Sequence, residues 1–334
     1  MIRVAINGFG RIGRLAFRLM EEDDNFEVVA INDLTGAEDL AYLLKYDTNH
    51  RNYRINEISY IEDSIVVGDR KVKVYAEKDP SLLPWKDLNI DVVFECTGLF
   101  TSSDKAMAHI NAGAKKVIIS APAKGDVKTV VYNVNNEVLD GSEQIISAAS
   151  CTTNCLAPVV DVIDKEFGIV KGYMTTVHAY TNDQVTLDVA HKKGIKSRRG
   201  RAAAANIVPT STGAAQAIGK VCLNLDGKLS GIAMRVPVPT GSVVDLVLEL
   251  KENTNVEAIN NAFINNTNET LEYTIDPIVS SDVIGRRCGS LVDGLSTSIL
   301  EVDGKQLVKV VSWYDNEMSY TAQMVRTAKY WVEL

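Results

Sequence analysis

INGFGRIGR, residues 6–14, lies between an apparent strand and a segment with helical spacing, and it carries Gly8, Gly10 and Gly13 in the order G-x-G-x-x-G. Glycines in this order permit a tight turn and let backbone N–H groups approach a pyrophosphate at the positive end of a helix. Asp33 lies 20 residues beyond the last glycine, at the end of the second predicted strand. Its carboxylate is suited to accept hydrogen bonds from ribose hydroxyls and to repel a 2′-phosphate. The pattern predicts a site for NAD rather than NADP, and the alternative is a glycine turn that serves helix–strand packing alone.

The first half of the chain alternates predicted strands with predicted helices. Apolar runs such as DVVFECTG (91–98), AKKVIIS (114–120) and KTVVYNVN (128–135) read as strands, and SSDKAMAHINAGA (102–114) reads as a helix between two of them. Apolar strands bounded by helices are typical of a parallel sheet covered on both faces. We therefore predict an α/β domain over residues 1–150, with a doubly wound parallel sheet of the Rossmann type.

Three further residues of this half are candidates for the same site. Thr97, Gly98 and Ser120 follow two of the predicted strands. In open α/β sheets, ligands lie beyond the carboxyl ends of the strands, which would place these residues against the cofactor. Structural duty in turns explains their positions equally well from sequence alone.

The second half has a different texture. A helix is predicted near 152–167, and longer strands follow, such as GYMTTVHAY (172–180) and SVVDLVLEL (242–250). We expect an α+β domain over residues 151–316 with a mostly antiparallel sheet. The tail, 317–334, has helical spacing and should end the chain as a helix.

Composition and charge narrow the function classes. The chain has 334 residues, enough for about two domains, with 46% apolar and 23% charged residues. The net charge of −8 argues against a dedicated nucleic-acid site or binding to an anionic membrane. The sequence has no run of about 18 apolar residues that would cross a membrane. Its N-terminus enters a strand without the regions of a secretory signal, so we expect a cytoplasmic location.

SAASCTTNCLAP, residues 147–158, places Cys151 and Cys155 four positions apart. A metal site would need about two more ligands, and no second paired motif supplies them, so we predict no metal. A disulfide between positions four apart on a helix has poor geometry. Cys151 should instead lie at or just before the start of a helix, where the dipole and free N–H groups favour a thiolate and lower the thiol pKa. We predict a reactive Cys151 and a buried, inert Cys155. The remaining cysteines are expected to be small buried hydrophobic residues: Cys96, Cys222 and Cys288.

A base for the thiol is available in MTTVHAYTNDQ, residues 174–184. His178 lies there on a predicted strand, just before a loop. An imidazole suits proton transfer at neutral pH, so His178 is the leading candidate to activate Cys151. The alternative is a histidine with a structural role in the strand.

Several segments have the chemistry of an anion site. Residues 210–213 place three hydroxyl side chains and a glycine before an alanine-rich helix, which suits a phosphate or ordinary N-capping. Arg235 lies in an apolar strand, where a guanidinium needs a partner. Residues 191–201 contain six Lys and Arg side chains, either in a solvated loop or facing an anionic ligand.

Taken together, these motifs resemble those of one family, the phosphorylating glyceraldehyde-3-phosphate dehydrogenases of the NAD-dependent bacterial type. The resemblance runs essentially end to end, through INGFGRIGR, SCTTNCLAP, TTVHAYTNDQ, RAAAANIVPTSTGAA, MRVPVPTGSV and VVSWYDNEMSY in that order. It implies the conversion of D-glyceraldehyde 3-phosphate and inorganic phosphate to 1,3-bisphosphoglycerate in glycolysis, through a cysteine thiohemiacetal and a thioester. An erythrose-4-phosphate dehydrogenase of the same architecture is the alternative.

The resemblance also implies roles for individual residues, with Cys151 as the nucleophile and His178 as the group that activates it. The residues implied for the substrate and for phosphate are Ser150, Thr152, Thr181, Arg199, Thr212, Gly213 and Arg235. Those implied for NAD are Gly8, Gly10, Arg11, Ile12, Asp33, Lys78, Ser120 and Asn316. Lys78 stands where the family commonly has arginine, and it keeps the charge but not the planar fork. A homotetramer is implied as well, with the C-terminal helix, 317–334, packed back on the NAD-binding domain.

Overall fold

The computed structural model describes residues 1–194 and 196–334. Ile195, within the basic run at 191–201, lies outside the described residues. The described residues form two compact units, of which the first contains residues 1–149 and 321–334 and the second contains residues 150–320. No helix in the described part of the chain is both long and apolar enough to span a membrane.

The first unit is built on a sheet that has nine strands within the described residues. The strands are β1 (Ile2–Asn7), β2 (Phe26–Asn32), β3 (Ile58–Ile61), β4 (Ser64–Val67), β5 (Arg70–Tyr75), β6 (Val92–Glu95), β7 (Lys116–Ile119), β8 (Lys128–Thr129) and β9 (Ile145–Ser147). The helices are α1 (Arg11–Met20), α2 (Ala37–Lys45) and α3 (Ser103–Asn111). The order of the strands across the sheet is β3-β4-β5-β2-β1-β6-β7-β9-β8.

Neighbouring strands from β5 to β8 are parallel, and a β3–β4 hairpin extends the sheet with antiparallel pairs. The predicted doubly wound parallel sheet is therefore confirmed. β6 is buried along its whole length, as expected for an apolar strand covered on both faces. β1 lies between β2 and β6, so the strand order reverses at its carboxyl end, which is where open sheets of this kind bind ligands.

The strand predicted at 128–135 is mostly wrong, because β8 has two residues. The Asn135 amide accepts a hydrogen bond from the Val131 N–H at 2.8 Å and donates one to the Thr129 carbonyl at 2.9 Å. Asn133 also has a positive φ of 59°, which an extended strand does not permit. Side-chain bonding to the local backbone thus replaces the sheet ladder at this point.

The second unit is built on a sheet with eight strands within the described residues. The strands are β10 (Ile169–Ala179), β11 (Val208–Ser211), β12 (Leu229–Val236), β13 (Ser242–Leu250), β14 (Leu271–Thr274), β15 (Ser290–Asp293), β16 (Ser298–Val302) and β17 (Lys305–Tyr314). The helices are α4 (Cys151–Phe167), α5 (Ala214–Val221), α6 (Val256–Asn265) and the start of α7 (Met318–Glu333). Most strand pairs are antiparallel, as predicted, and β10–β12 and β14–β15 are parallel.

The two faces of this second sheet differ. Alternate residues of β10, such as Met174 and His178, are buried on the face where α4 packs. The intervening residues, such as Tyr173, remain on a more exposed face. The carboxyl ends of β10, β12 and β17 meet the start of β13 at one edge of the sheet. His178, Arg235, Ser242 and Tyr314 are therefore brought to the same edge.

The last part of α7 belongs to the first unit. Trp331 is fully buried there, with the Lys116 ammonium 4.4 Å from the centre of its ring. Lys329 forms an ion pair with Asp23 at 2.9 Å. Apolar burial and a cation–π contact therefore hold the end of the chain in this unit.

Candidate active site

Cys151 is the first residue of α4, which confirms that it lies at a helix start. Ser150 is the N-cap residue, and its hydroxyl accepts a hydrogen bond from the Thr153 N–H at 3.1 Å. N–H groups in the first turn of a helix lack intrahelical acceptors and favour negative charge nearby. Cys155, one turn deeper, is fully buried, and burial raises its pKa to about 12. The predicted burial of Cys155 is confirmed, and Cys151 is the more exposed of the two cysteines.

The Cys151 thiol lies beside an imidazole. The distance from the Cys151 Sγ to the His178 Nε2 is 3.4 Å. The other ring nitrogen, Nδ1, lies 2.7 Å from the Ala179 carbonyl oxygen, which can act solely as an acceptor. Nδ1 therefore carries the proton, and the lone pair of Nε2 faces the thiol. In this tautomer His178 can take the thiol proton.

The pKa values of the pair are set mainly by burial. Burial, together with the positive charge of Arg235, lowers the pKa of His178 to about 3, so the ring is neutral at neutral pH. Burial raises the pKa of the Cys151 thiol, and the charge of Arg235 and the Thr152 hydroxyl oppose this shift without reversing it. The prediction that the helix start lowers the pKa of Cys151 is therefore wrong. Desolvation of the thiolate outweighs the nearby groups that favour it. Activation of the thiol then depends on transfer of its proton to His178.

Arg235 lies next to this pair because β10 and β12 are parallel, with His178 and Arg235 in register. Its Nη1 donates to the Ala179 carbonyl at 3.2 Å and to the Thr181 hydroxyl at 3.0 Å. Its Nε is buried and has no acceptor within residues 1–194 and 196–334. A buried guanidinium with an unused donor fits the recognition of an anion. The structure thus brings together Cys151, His178, Thr181 and Arg235.

Tyr314 was not anticipated from the sequence. Its ring packs edge-to-face on the His178 ring, with centroids 5.9 Å apart. Its buried hydroxyl bonds to the Thr152 hydroxyl at 2.9 Å and to the Thr176 hydroxyl at 2.8 Å. These contacts hold the His178 ring against the sheet, and they engage the Thr152 side chain away from solvent. A tyrosine at the end of a strand carries no sequence signal for this role.

The remaining predicted anion residues are divided between two places. Arg199 bonds through Nε to the Thr210 hydroxyl at 3.0 Å and forms an ion pair with Asp183. Arg199 and Thr210 line a basic cavity of about 450 Å³. Thr212 accepts a hydrogen bond from the Ala214 N–H at 3.2 Å, and Gly213 is the N-cap residue of α5. The N-cap residue itself forms no side-chain cap bond, so the predicted N-capping by a hydroxyl is replaced by the Thr212 contact from one position earlier, and the helix start remains suited to an anion.

A second cavity, of about 560 Å³, lies in the first unit at the carboxyl ends of its parallel strands. Predicted cofactor residues line it, and they are Gly8, Gly10, Asp33, Lys78 and Thr97. Cys96 also lines this cavity, so its predicted burial as a small hydrophobic residue is wrong, whereas Cys222 and Cys288 are buried as predicted. Ser120 directly follows β7 and is half-buried.

The three glycines of residues 6–14 are each explained by a different feature of the local structure. Gly8 has φ +92°, and a Cβ there would lie 2.8 Å from the Thr97 nitrogen. A Cβ at Gly13 would lie 2.2 Å from the Gly8 carbonyl oxygen, so this glycine permits close packing of α1 on the turn. A Cβ at Gly10 would meet nothing within 4 Å. Gly10 thus borders open space in the cavity, where a ligand can approach the backbone.

Asp33 ties the glycine turn to β2. Its carboxylate accepts hydrogen bonds from the Phe9 N–H at 2.8 Å and the Thr35 N–H at 3.0 Å. The Arg11 guanidinium is held by Asp47, with one of its two bonds at 3.0 Å. Arg11 and Ile12 therefore present to a ligand the backbone N–H groups at the start of α1, while the Arg11 side chain is turned to Asp47.

A buried polar network, which was not predicted from the sequence, supports the wall of this cavity. Glu95 accepts hydrogen bonds from the Asn7 side chain at 2.5 Å and the Thr97 N–H at 2.9 Å. His109, fully buried, lies 3.0 Å from the Glu95 carboxylate and accepts a hydrogen bond from the Trp85 indole at 3.0 Å. Satisfied polar groups of this kind fix the walls of a site.

Asn316, the last predicted cofactor residue, lies in the second unit. Its Oδ1 accepts hydrogen bonds from the Ser242 hydroxyl at 2.8 Å and the Gly241 N–H at 3.2 Å. The preceding residue, Asp315, accepts a hydrogen bond from the Thr240 hydroxyl at 2.9 Å. Its carboxylate also accepts one from the Met318 N–H in the first turn of α7. Within the described residues, no group of three or more His, Cys, Asp or Glu side chains is arranged to hold a metal ion.

Comparisons with known proteins agree across the chain. Residues 2–103 match the family profile described as Glyceraldehyde 3-phosphate dehydrogenase, NAD binding domain, and residues 150–316 match the one described as Glyceraldehyde 3-phosphate dehydrogenase, C-terminal domain. Relatives named glyceraldehyde-3-phosphate dehydrogenase are 60% identical in Clostridium pasteurianum, 58% in Clostridium acetobutylicum and 54% in Streptococcus pyogenes. Each alignment covers 100% of this chain and 99% of the relative.

Proposed function

Because the chain belongs to the glyceraldehyde 3-phosphate dehydrogenase family, its cofactor is NAD, and we propose that it oxidises D-glyceraldehyde 3-phosphate to 1,3-bisphosphoglycerate in glycolysis. Inorganic phosphate is the second substrate. The observation that carries the proposal is the 3.4 Å approach of the Cys151 Sγ to the unprotonated nitrogen of a neutral His178. A thiol and a base in this arrangement are the parts that covalent catalysis on an aldehyde requires.

We assign residues 1–150 as the NAD-binding domain, 151–316 as the catalytic domain and 317–334 as a C-terminal helix returning to the first. The 560 Å³ cavity fits the cofactor, since Gly10 opens the backbone to it and Asp33 lines it. Gly8, Arg11, Ile12, Lys78 and Ser120 are assigned to the same cofactor, together with Asn316. NAD, when bound, supplies the acceptor for the hydride.

The covalent steps belong to Cys151 and His178. The thiol sulfur attacks the aldehyde carbon while His178 Nε2 takes the thiol proton, which then passes to the new oxyanion and gives a thiohemiacetal. The Cys151 backbone N–H and the His178 Nε2–H stabilise that oxygen as negative charge develops on it. His178 removes the hydroxyl proton again as the hydride leaves, and a thioester remains on Cys151. Inorganic phosphate then attacks the thioester carbon, the acyl phosphate is released, and the departing Cys151 sulfur takes back the proton held by His178.

Two phosphate groups are assigned to the side chains around this pair. Arg235 and Thr181 hold the phosphate of the substrate, which is supported by the unused Nε of Arg235 and by the bond that joins the two side chains. The attacking phosphate is assigned to Ser150, Thr152, Arg199, Thr212 and Gly213. For Thr152 the backbone N–H is the donor, because its hydroxyl is engaged by Tyr314.

A homotetramer is part of the proposal, with a second copy covering the open face of the second sheet. Tyr173 and Leu307 are exposed on that face, beside half-buried Val243 and Val247. Exposed apolar side chains in one patch favour burial against another subunit. Light scattering should give four times the 36.5 kDa chain mass, and Tyr173→Asp should reduce it. A wild-type mass of one chain would contradict the assembly.

We also place the chain in the cytoplasm, since free cysteines and a working thiol suit a reducing compartment. Recovery of the protein in a membrane or secreted fraction of its cells would contradict this.

The reaction is tested by NADH formation from glyceraldehyde 3-phosphate with the purified protein. NADH should form rapidly with inorganic phosphate and slow strongly without it, because the thioester then accumulates. Erythrose 4-phosphate serves as the comparison substrate, and it should be turned over more slowly. Equal rates with and without phosphate, or a preference for erythrose 4-phosphate, would overturn the proposed reaction.

A further inference from the structure

The Ser242 hydroxyl bridges two polar groups at the edge of the second sheet. It accepts a hydrogen bond from the Ala179 N–H at 3.0 Å and lies 2.8 Å from the Asn316 Oδ1. Ser242 is 1% exposed, so water does not compete for either bond. A backbone N–H can act solely as a donor, and a serine hydroxyl has one hydrogen to give. That hydrogen therefore goes to Asn316.

This bond fixes the orientation of the Asn316 amide. The Gly241 N–H also donates to Oδ1 at 3.2 Å, and the Thr240 hydroxyl makes a longer contact at 3.4 Å, so three donors face this oxygen and Ser242 is the nearest of them. The Asn316 Nδ2 has no acceptor within residues 1–194 and 196–334. A rotation of the amide by 180° would set its NH₂ group against these donors, which is unfavourable in a buried site. Asn316 thus presents a donor to any ligand that reaches it.

The same hydroxyl also holds Ala179, the residue whose carbonyl group orients His178. The Ala179 carbonyl accepts the His178 Nδ1–H at 2.7 Å, and the N–H of the same residue donates to Ser242. β13 begins at Ser242, so this side chain satisfies an amide at the point where the strand pairing ends. A displacement of Ala179 would turn the imidazole ring of His178 relative to Cys151.

We infer that Ser242 is a positioning residue that couples the orientation of His178 to that of Asn316. The inference rests on the proposed function, in which His178 activates Cys151 and Asn316 donates to the cofactor. One buried hydroxyl then sets both the thiol-activating tautomer and the donor that the cofactor carboxamide meets. Neither Ser242 nor the Ala179 N–H touches substrate or cofactor in this account.

The first experiment compares Ser242→Ala with the wild type in two measurements that need no turnover. Calorimetry gives the Kd for NAD, and iodoacetamide without NAD gives the rate of Cys151 alkylation at neutral pH. Loss of a buried hydrogen bond predicts an increase of about tenfold in the Kd and a decrease of about tenfold in the alkylation rate. Ser312→Ala is the matched control, since Ser312 is equally buried in the same sheet and its hydroxyl bonds to Ser290 at 2.6 Å. It should change neither value by more than about twofold.

The second experiment separates positioning from general destabilisation. In an Asn316→Ala background, Ser242→Ala should leave the Kd for NAD unchanged while it still slows alkylation. In a His178→Asn background it should leave alkylation unchanged while it still weakens NAD binding. This non-additivity is the signature of a residue that acts through two others.

Two outcomes would overturn the inference. One is a folded Ser242→Ala protein whose Kd and alkylation rate both stay within about twofold of the wild type. The other is an effect that adds fully in both backgrounds, or that Ser312→Ala reproduces. Failure of the proposed function would appear separately, as absence of phosphate-dependent NADH formation by the wild type.

Discussion

The His178 Nε2 lies 3.4 Å from the Cys151 Sγ, on the side of the ring opposite the Nδ1 that donates to the Ala179 carbonyl. The ring is therefore held in the tautomer that can accept the thiol proton. Because burial raises the pKa of Cys151 and lowers that of His178, both groups are neutral at neutral pH until the proton passes from one to the other. Reactivity of the thiol is thus a property of the pair.

Replacement of the imidazole tests this directly. His178→Asn should slow alkylation of Cys151 by iodoacetamide at pH 7 by about 10²-fold, because the general base is lost. The difference from the wild type should shrink as the pH rises and solvent hydroxide ionises the thiol. An unchanged rate at pH 7 would show that His178 does not activate Cys151.

The charge of Arg235 should affect the same rate. It lowers the pKa of the Cys151 thiol against the larger effect of burial, so its removal should raise that pKa and leave less thiolate at a given pH. The same charge lowers the pKa of His178, so the test is made in the His178→Asn background, where Arg235→Leu should slow alkylation at pH 8 by about threefold to tenfold. Arg235→Lys, which keeps the charge, is the control and should stay closer to the wild type. Iodoacetamide is neutral, so a faster reaction of the Leu variant would contradict the assigned electrostatics.

Asp33 should control the choice between NAD and NADP. Asp33→Ala removes a negative charge from the cavity, so the ratio of the two Kd values should shift towards NADP by about five- to tenfold. NAD binding itself should weaken, because the carboxylate also holds the Phe9 N–H. Asp69→Ala, an exposed carboxylate in the same unit, is the control and should leave the ratio unchanged. An unaltered ratio for Asp33→Ala would remove Asp33 from cofactor selection.

Asp47 should contribute to stability in a pH-dependent way. Burial alone would raise its pKa, but hydrogen bonds from Arg11 and the His50 N–H lower it from 3.8 to about 2. The unfolded chain therefore binds this proton at a higher pH than the folded chain does. The stabilisation, of about 1–2 kcal/mol, is present above pH 5 or so and is lost as the pH falls from about 4 to 2. Urea unfolding of Asp47→Asn should lack this part of the pH dependence, and an unchanged slope would contradict the assignment.

The sequence predicted the parts of the fold that follow from local patterns. The glycine turn, the parallel sheet behind it and the start of α4 at Cys151 each depend on residues close together in the chain. The β3–β4 hairpin was not predicted, because its strands have four residues each. The strand predicted at 128–135 failed because the Asn135 side chain takes the backbone groups that pairing would use.

Features of the site that depend on tertiary contacts could not be predicted from the sequence. Ser242 and Tyr314 lie far along the chain from Cys151, and their roles follow from the register of β10, β13 and β17. The pKa of Cys151 was predicted in the wrong direction because a helix start was visible in the sequence and its burial was not. The residue assignments for NAD and phosphate stay predictions until ligands are measured.

The central claim is that Cys151 carries the acyl group, and mass spectrometry tests it most directly. The protein is mixed with NAD and glyceraldehyde 3-phosphate without inorganic phosphate, quenched in acid and digested. We predict one acyl group per chain on the peptide that contains Cys151, lost when phosphate is added before the quench and absent from Cys151→Ser. An acyl group on Cys155, or none in a protein that forms NADH, would contradict the account.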